Sequence, residues 1–152
     1  LNMHRKVQLI VSGGIRSGAD VAKAMAMGAD AVSIGSAAMI ALNCNADMYP
    51  EDYEKLGTAA GYCHHCHTGK CPVGVATQDP ELEKRLEPEL AGKRVKNYLA
   101  TLTLELQTLA RANGKSDVRN LEPEDLAALT VEAAAMARVP LAGTNWIPGH
   151  EL

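Results

Sequence analysis

Apolar and polar residues follow one another along positions 1–43 in blocks that predict the order strand, helix, strand, helix. An apolar run at 7–11 ends in the Ser-Gly-Gly segment 12–14, which predicts a buried parallel strand that leads into a glycine loop. Ser17 is placed to cap the following helix, and apolar residues then recur at helical spacing as far as Gly28, which predicts the helix end.

Residues 31–34 predict a second strand, and a glycine and a serine open the next helix. Two successive strands therefore end in glycines, Gly13 and Gly14 after the first and Gly35, followed by Ser36, after the second. Glycine lets a ligand approach the backbone, and N–H groups at a helix start point at an anion, so the pattern predicts a phosphate site. Plain strand-to-helix turns are the alternative. The pairing favours an α/β fold containing the last two βα units of a TIM (β/α)8 barrel, whose phosphate site is often built by the loops after strands 7 and 8.

Beyond residue 78 the pattern becomes helical. Asp79 and Pro80 predict a helix start, and a leucine stripe predicts a long helix over 88–112 that ends at Asn113-Gly114. A further helix is predicted from Glu122 to about Pro140, with a buried face formed by Leu126, Leu129, Val131 and Ala135. We expect three segments: barrel units at 1–43, a cysteine segment at 44–78 and a helical region at 79–152.

Composition narrows the class of protein. The 152 residues carry a net charge of −3, are 47% hydrophobic and lack phenylalanine, so the core must be built from aliphatic residues. The charge gives no reason to expect nucleic acid, and no run of 18 apolar residues suggests a membrane span. We expect a cytoplasmic protein. Because the chain begins at Leu1 and a strand follows almost at once, we expect the C-terminal piece of a longer protein.

All four cysteines fall in one short segment, Cys44, Cys63, Cys66 and Cys71, and the last three form C-x2-C-x4-C followed by proline. Three histidines lie among them, so a mixed zinc site is one interpretation. Cys63 to His67 also matches C-x-x-C-H, the haem attachment motif. Disulfides are less expected because the chain has no visible signal peptide. Iron–sulfur ligation uses all four thiolates and is the favoured interpretation.

Two stretches together resemble a known family. Residues 12–21 (SGGIRSGADV) and 28–32 (GADAV), with the glycine and serine at 35–36, are similar to the FMN-phosphate segment of glutamate synthase and related FMN-dependent barrels. Residues 41–44 (ALNC) and 66–78 (CHTGKCPVGVATQ) resemble the iron–sulfur segment of the synthase domain of the glutamate synthase large subunit.

The resemblance implies site residues and a reaction. It implies that Gly13, Gly14, Gly35 and Ser36 contact the FMN phosphate. It also implies that the whole enzyme forms L-glutamate from 2-oxoglutarate and glutamine-derived ammonia. Its partners would then be the rest of the synthase barrel, a glutaminase domain or subunit, and an electron donor, either ferredoxin or an NAD(P)H-dependent subunit. We expect the chain alone to be inactive.

The cluster itself stays open between two forms. The resemblance implies a [3Fe-4S] cluster held by Cys44, Cys66 and Cys71. The family places its first two ligands close together, whereas residues 47–61 form an apparent insertion here and Cys63 is an additional thiol. Either Cys63 replaces Cys44, or all four bind and the cluster is [4Fe-4S]. The competing hypothesis is a small non-enzymatic electron-transfer module, with an iron–sulfur cluster or a c-type haem.

Overall fold

The structure is a computed structural model that describes residues 6–149. The ends of the first and third predicted segments, residues 1–5 and 150–152, lie outside the described residues. The described chain is a mixed α/β structure that divides into two compact units. The first contains residues 6–34 and 101–149, and the second contains residues 35–100. The predicted three-segment division stays a prediction.

The first unit begins with two parallel strands, β1 (Ile10–Ser12) and β2 (Ala31–Ser33). Helix α1 (Gly18–Ala26) connects them, and the register pairs Ile10 with Ala31 and Ser12 with Ser33. This is the predicted βαβ order. Whether it belongs to a TIM barrel stays a prediction, because a third strand is not found between residues 6 and 149.

The prediction that the first strand is buried was wrong. The strand covers Ile10–Ser12 rather than 7–11, and the side chains of Val7, Leu9 and Ile10 are 58%, 51% and 66% exposed. A two-stranded sheet cannot cover both of its own faces, so apolar side chains on it stay accessible unless further elements pack there.

Helix α1 begins and ends where the sequence predicts. Ser17 accepts a hydrogen bond from the backbone N–H of Asp20, and the Asp20 carboxylate accepts in return from the Ser17 N–H, which forms a capping box. The backbone N–H of Gly28 donates to the Met25 carbonyl at 2.9 Å, and Gly28 has a φ of +101°. Positive φ favours glycine, which explains the residue at the helix end.

The second unit contains three short helices, α2 (Ser36–Ala41), α3 (Pro50–Lys55) and α4 (Pro80–Glu83), and a 3-10 turn at Cys66–Thr68. Asp79 caps α4 as predicted by accepting from the N–H groups of Glu81 and Leu82. The core of this unit is formed by Tyr53, Cys71 and Val73. Residues 47–61, the apparent insertion, therefore supply a central core side chain through α3.

Helix α5 (Pro88–Ala112) has the predicted bounds and contributes residues to both units. In the first unit, Leu102, Leu106 and Ala110 are buried along one stripe. The predicted stripe also included Leu99, which is 43% exposed. Gly114 follows the helix with a φ of +73°, as expected of the predicted Asn-Gly stop.

The predicted helix over 122–140 was wrong in extent and in its buried face. The structure has a 3-10 turn at Pro123–Asp125 and a separate helix α6 (Val131–Ala137), whose first turn is capped by Thr130. Leu129 and Val131, which were predicted to be buried, are 88% and 46% exposed, and Ala135 is also exposed. Leu126 packs, half-buried, against the small core of Ala128, Ala134 and Val139.

Among residues 6–149, none of the helices has the length and hydropathy required to cross a bilayer.

Candidate functional site

All four cysteines belong to the second unit. The side chain of Asn45 connects two of them, Cys44 and Cys63. The side-chain amide of Asn45 accepts from the Cys63 N–H at 2.9 Å and donates to the Cys63 carbonyl at 3.3 Å. The same Nδ2 lies 3.9 Å from Sγ of Cys44. Asn45 has a φ of +62°, a conformation that asparagine tolerates better than most residues. One amide therefore fixes the backbone of Cys63 beside Cys44, although residues 47–61 lie between them in sequence.

The pKa of the Cys44 thiol reflects both its burial and the other three cysteines. Burial raises the pKa of the Cys44 thiol, and the neighbouring thiols Cys66, Cys71 and Cys63 raise it further. Such an effect requires that the sulfur atoms lie within electrostatic range of each other. The structure therefore places Cys63, Cys66 and Cys71 within electrostatic range of Cys44.

The cysteines differ in accessibility, and they are unpaired. Cys71 is buried, Cys44 and Cys63 are half-buried, and Cys66 is exposed in the 3-10 turn. Because all four thiols are free, the disulfide interpretation does not describe this structure. An exposed thiol beside a buried one is typical of a site that opens on one side.

Tyr53 forms the inner wall of the thiol site. Its ring is 1% exposed and packs with Cys71 and Val73. Its hydroxyl donates to the Ala46 carbonyl at 3.1 Å. Burial raises the pKa of Tyr53 to about 12, with the thiols of Cys63 and Cys44 adding to the effect. The tyrosine therefore stays neutral and provides an apolar face toward the thiols.

The three histidines line the outer side of this segment. The rings of His64 and His65 stack with centroids 4.7 Å apart, and those of His65 and His67 are 6.1 Å apart. Nδ1 of His64 lies 3.2 Å from the Tyr62 carbonyl. The imidazoles stack on one another rather than facing a common point.

The donor set suits a cluster better than a single ion. A zinc ion requires each sulfur within about 2.3 Å of one point, and within residues 6–149 there are no three His, Cys, Asp or Glu side chains arranged in that way. An iron–sulfur cluster distributes its thiolates over several iron atoms, so its ligands stand further apart. The four free cysteines of the second unit could supply the thiolates that such a cluster uses.

The glycine loops occupy the ends of the two strands. Ser12 and Ser33 pair across the sheet, and the predicted phosphate residues follow them in sequence. Gly13 and Gly14 have φ values of +98° and +72°, with open space where a side chain would begin. Gly35 also borders open space, and its φ is −113°, so a positive φ does not explain the glycine there. The two glycines after β1 belong to the first unit, and the glycine and serine after β2 belong to the second.

The start of α1 is closed to an anion, which the sequence did not reveal. The Asp20 carboxylate accepts from the N–H groups of Arg16 and Ser17, at 3.1 and 3.2 Å. Oε2 of Glu105, on α5, accepts from the Gly18 N–H at 2.6 Å. These carboxylates already satisfy the first N–H groups of the helix. The N–H groups of Arg16, Ser17 and Gly18 are thus bound by protein carboxylates, and the predicted phosphate contacts Gly13 and Gly14 precede them in the loop.

Sequence reasoning missed Asn45, Tyr53, Arg85 and Glu105. Each acts across a long sequence separation, and the printed sequence gives no local signal for three of them. Asn45 had a partial signal, because an asparagine next to a cysteine in a turn-rich segment is a candidate for a left-handed conformation.

The described chain is a mixed α/β protein in which a βαβ unit is followed by a segment with four free cysteines, and comparison with known sequences identifies the family. A sequence model described as the conserved region in glutamate synthase matches residues 1–116. A glutamate synthase large subunit-like protein of Rhizobium meliloti is 66% identical over 149 residues, which cover 98% of this chain and 34% of the relative. The chain belongs to the glutamate synthase family.

More distant relatives carry the same name. The archaeal glutamate synthase [NADPH] of Methanocaldococcus jannaschii is 43% identical over 119 residues, which cover 78% of this chain and 20% of that protein. The ferredoxin-dependent glutamate synthase of Cyanidium caldarium is 36% identical over 130 residues, which cover 78% of this chain and 7% of that protein. The chain thus spans about a third or less of the length of these relatives.

Proposed function

We propose that this chain is the part of a glutamate synthase that carries the iron–sulfur ligands and contributes to FMN phosphate binding. In the complete protein, the reaction is the formation of L-glutamate from 2-oxoglutarate and ammonia released from glutamine. The observation that carries the proposal is that four free cysteines lie in one compact unit, with Asn45 joining Cys44 to the Cys63 backbone, in a chain of this family. We expect the chain alone to be inactive, since it spans only about a third of the length of its Rhizobium meliloti relative.

The glycine loops provide the flavin phosphate contacts. Gly13 and Gly14 in the first unit, and Gly35 in the second, border open space where a side chain would begin, and Ser36 is the first residue of α2. Charge-assisted hydrogen bonds of this kind contribute roughly 1.5–3 kcal/mol each. When bound, FMN supplies hydride transfer and the cluster supplies single-electron transfer. The two βα units that begin with these strands are the last units of a TIM barrel. The other units of the barrel belong to the rest of the whole protein.

The thiols hold the cluster, and this chain's own residues shape its surroundings. Cys71 is the buried ligand, packed against Tyr53, and Cys66 is the exposed one. Asn45 holds the Cys63 backbone beside Cys44, so both thiols are available and a [4Fe-4S] cluster is favoured. A [3Fe-4S] cluster, which family resemblance favours, would leave one of these two thiols unligated.

The partners follow from the reaction. A glutaminase domain or subunit supplies ammonia, and ferredoxin or an NAD(P)H-dependent subunit supplies electrons. The free thiols fit a reducing compartment, the cytoplasm.

The test is spectroscopic and uses the complete protein, purified without oxygen. We expect released FMN, three to four irons per chain with matching acid-labile sulfide, and glutamine-dependent glutamate formation. Replacing Cys71 with serine should abolish the cluster. Comparing Cys44→Ser with Cys63→Ser identifies the ligands: loss in both indicates [4Fe-4S], whereas loss in one, with an EPR signal in the oxidised state, indicates [3Fe-4S]. A Soret band or colourless zinc-containing protein would refute the proposal.

The flavin contact has its own matched pair of variants. Gly35→Ala adds a methyl group beside the proposed phosphate without meeting any protein atom within 4 Å. Gly92→Ala makes the same change within α5, also in open space. We expect FMN affinity to fall in the first variant only, as measured by flavin fluorescence during dialysis. Equal retention of FMN in both variants would remove Gly35 from the phosphate site.

A further inference from the structure

Arg85 connects three parts of the second unit through one guanidinium group. Its Nη1 donates to the Pro72 carbonyl at 2.7 Å and to Oδ2 of Asp52 at 2.7 Å. The face of the guanidinium lies over the Tyr49 ring, with Cζ 4.1 Å from the ring centroid. Asp52 belongs to α3, and Tyr49 immediately precedes that helix. A single side chain therefore joins α3 to the backbone that follows Cys71.

The loop that Arg85 contacts is the most buried part of the thiol segment. Residues 71–74 are all buried, and Pro72 is fully so. The Gly74 N–H donates to the Cys71 carbonyl at 3.1 Å, which closes a turn. A side chain at Gly74 would meet the Leu82 carbonyl oxygen at 2.5 Å. The loop is thus pressed against the segment that carries Arg85, and glycine permits the close approach.

The other side of the same loop is held by α3. Tyr53, one residue after Asp52, packs against Cys71. The ion pair from Arg85 to Asp52 fixes α3 relative to the loop, and the hydrogen bond to Pro72 fixes the loop itself. Loss of the guanidinium would release both contacts at once and leave the Pro72 carbonyl buried without this donor.

Arginine is specifically suited to this position. A planar guanidinium donates in its plane while its face stacks on an aromatic ring. A lysine ammonium is a point charge on a flexible stem, so it can replace the charge but not all three contacts.

We propose that Arg85 is a positioning residue for the Cys71 thiolate. It holds the Cys71–Pro72 turn between α3 and the end of α4, and so sets the place at which this thiol meets the cluster. The inference rests on the proposed function, in which Cys71 is a cluster ligand. Arg85 itself does not bind the cluster.

The experiment compares Arg85→Gln, Arg85→Lys and Lys84→Gln in the complete protein. Lys84 is the matched control because it is the neighbouring cation, it is 68% exposed, and it pairs only with Glu81 among the ion pairs of residues 6–149. Two readouts are taken from each protein. The first is the iron and sulfide content with the EPR spectrum, and the second is the alkylation rate of Cys71 by iodoacetamide after chelation of the metal, followed by peptide mass spectrometry.

We expect Arg85→Gln to lower the cluster content and to change the EPR line shape. The alkylation rate of Cys71 should rise about 10- to 100-fold, because the loss of a charge-assisted hydrogen bond increases the open population of the loop by that factor. Arg85→Lys should fall between Arg85→Gln and wild type, and it provides the same comparison if Arg85→Gln does not accumulate. Lys84→Gln should match wild type in both readouts.

The two readouts separate this inference from the proposed function. Wild-type protein without iron and sulfide would refute the cluster, while a faster alkylation of Cys71 in Arg85→Gln would still support the positioning of its loop. Wild-type protein with a cluster, together with Arg85 variants equal to Lys84→Gln in EPR spectrum and alkylation rate, would overturn the inference and leave the function intact.

Discussion

Gly18 is a point of close approach between α1 and α5, and its replacement by alanine gives a sharp test of the packing in the first unit. A Cβ at Gly18 would lie 2.5 Å from the Leu102 carbonyl oxygen, 2.6 Å from the Leu106 nitrogen and 2.7 Å from Cβ of Glu105. Two of these atoms belong to the backbone, so a rotamer change cannot relieve the contact. The helices must therefore move apart.

The expected cost follows from two effects. Overpacking of this kind costs about 1–3 kcal/mol. Moving the helices apart also weakens the hydrogen bond from the Gly18 N–H to Glu105, a charge-assisted contact with a typical contribution of roughly 1.5–3 kcal/mol. Alanine recovers at most about 1 kcal/mol through its helix propensity. We expect a net destabilisation of about 2–4 kcal/mol.

Native-state hydrogen exchange with mass spectrometry suits the measurement, because it reports the opening free energy of each helix within a large protein. The control is Gly92→Ala, which makes the same chemical change in α5 with no atom within 4 Å. We expect that variant to stabilise its helix by about 0.5–1 kcal/mol. If the amides of α1 are as well protected in Gly18→Ala as in wild type, the close approach of α1 and α5 at Gly18 is refuted.

Three further predictions test other contacts. Gly74→Ala and Gly69→Ala both place alanine at positive φ, but only the first meets backbone atoms. We therefore expect Gly74→Ala to lower the opening free energy near the cysteine loop, measured by hydrogen exchange, by about 1–3 kcal/mol more than Gly69→Ala does. Thr130→Ala removes the cap of α6 and should destabilise that helix by about 1 kcal/mol by the same method; unchanged exchange there would contradict the cap. The Arg119 side chain lowers the pKa of Asp117 from its ordinary value of 3.8 to about 2. This pair therefore stabilises the fold above pH 3.8 and loses its effect as pH falls toward 2. Carboxyl NMR of Arg119→Gln should show the Asp117 midpoint returning upward, and an unchanged midpoint would refute the pairing.

Local signals in the sequence predicted the elements that depend on local contacts. The capping box at Ser17, the Asp-Pro start of α4 and the bounds of α5 all arise from hydrogen bonds or periodicity within a few residues. The βα order and the family were also predicted, and the family is confirmed. The candidate ligands and phosphate residues were named from motifs, and their roles stay predictions.

The errors have a different physical origin. An apolar run predicts burial only where another element packs against it. On β1, the side chain of Ile10 is 66% exposed. Helical spacing near Leu129 predicted one amphipathic helix, but the 3-10 turn at Pro123–Asp125 and the cap at Thr130 divide the segment. Local turn chemistry prevailed there over hydrophobic periodicity.

The contacts that shape the thiol site could not be derived from spacing, because they join residues from distant parts of the chain. Asn45 reaches Cys63, and Arg85 reaches both Pro72 and Asp52. Sequence motifs identify the atoms that ligate a cluster, whereas the polar side chains behind them fix where those atoms stand. In metal sites such supporting contacts often affect cofactor binding strongly, with typical losses of about 10- to 100-fold on mutation. In the proposed cluster, the choice between three and four ligands would therefore depend on whether Asn45 keeps Cys44 and Cys63 together, as much as on the number of cysteines in the chain.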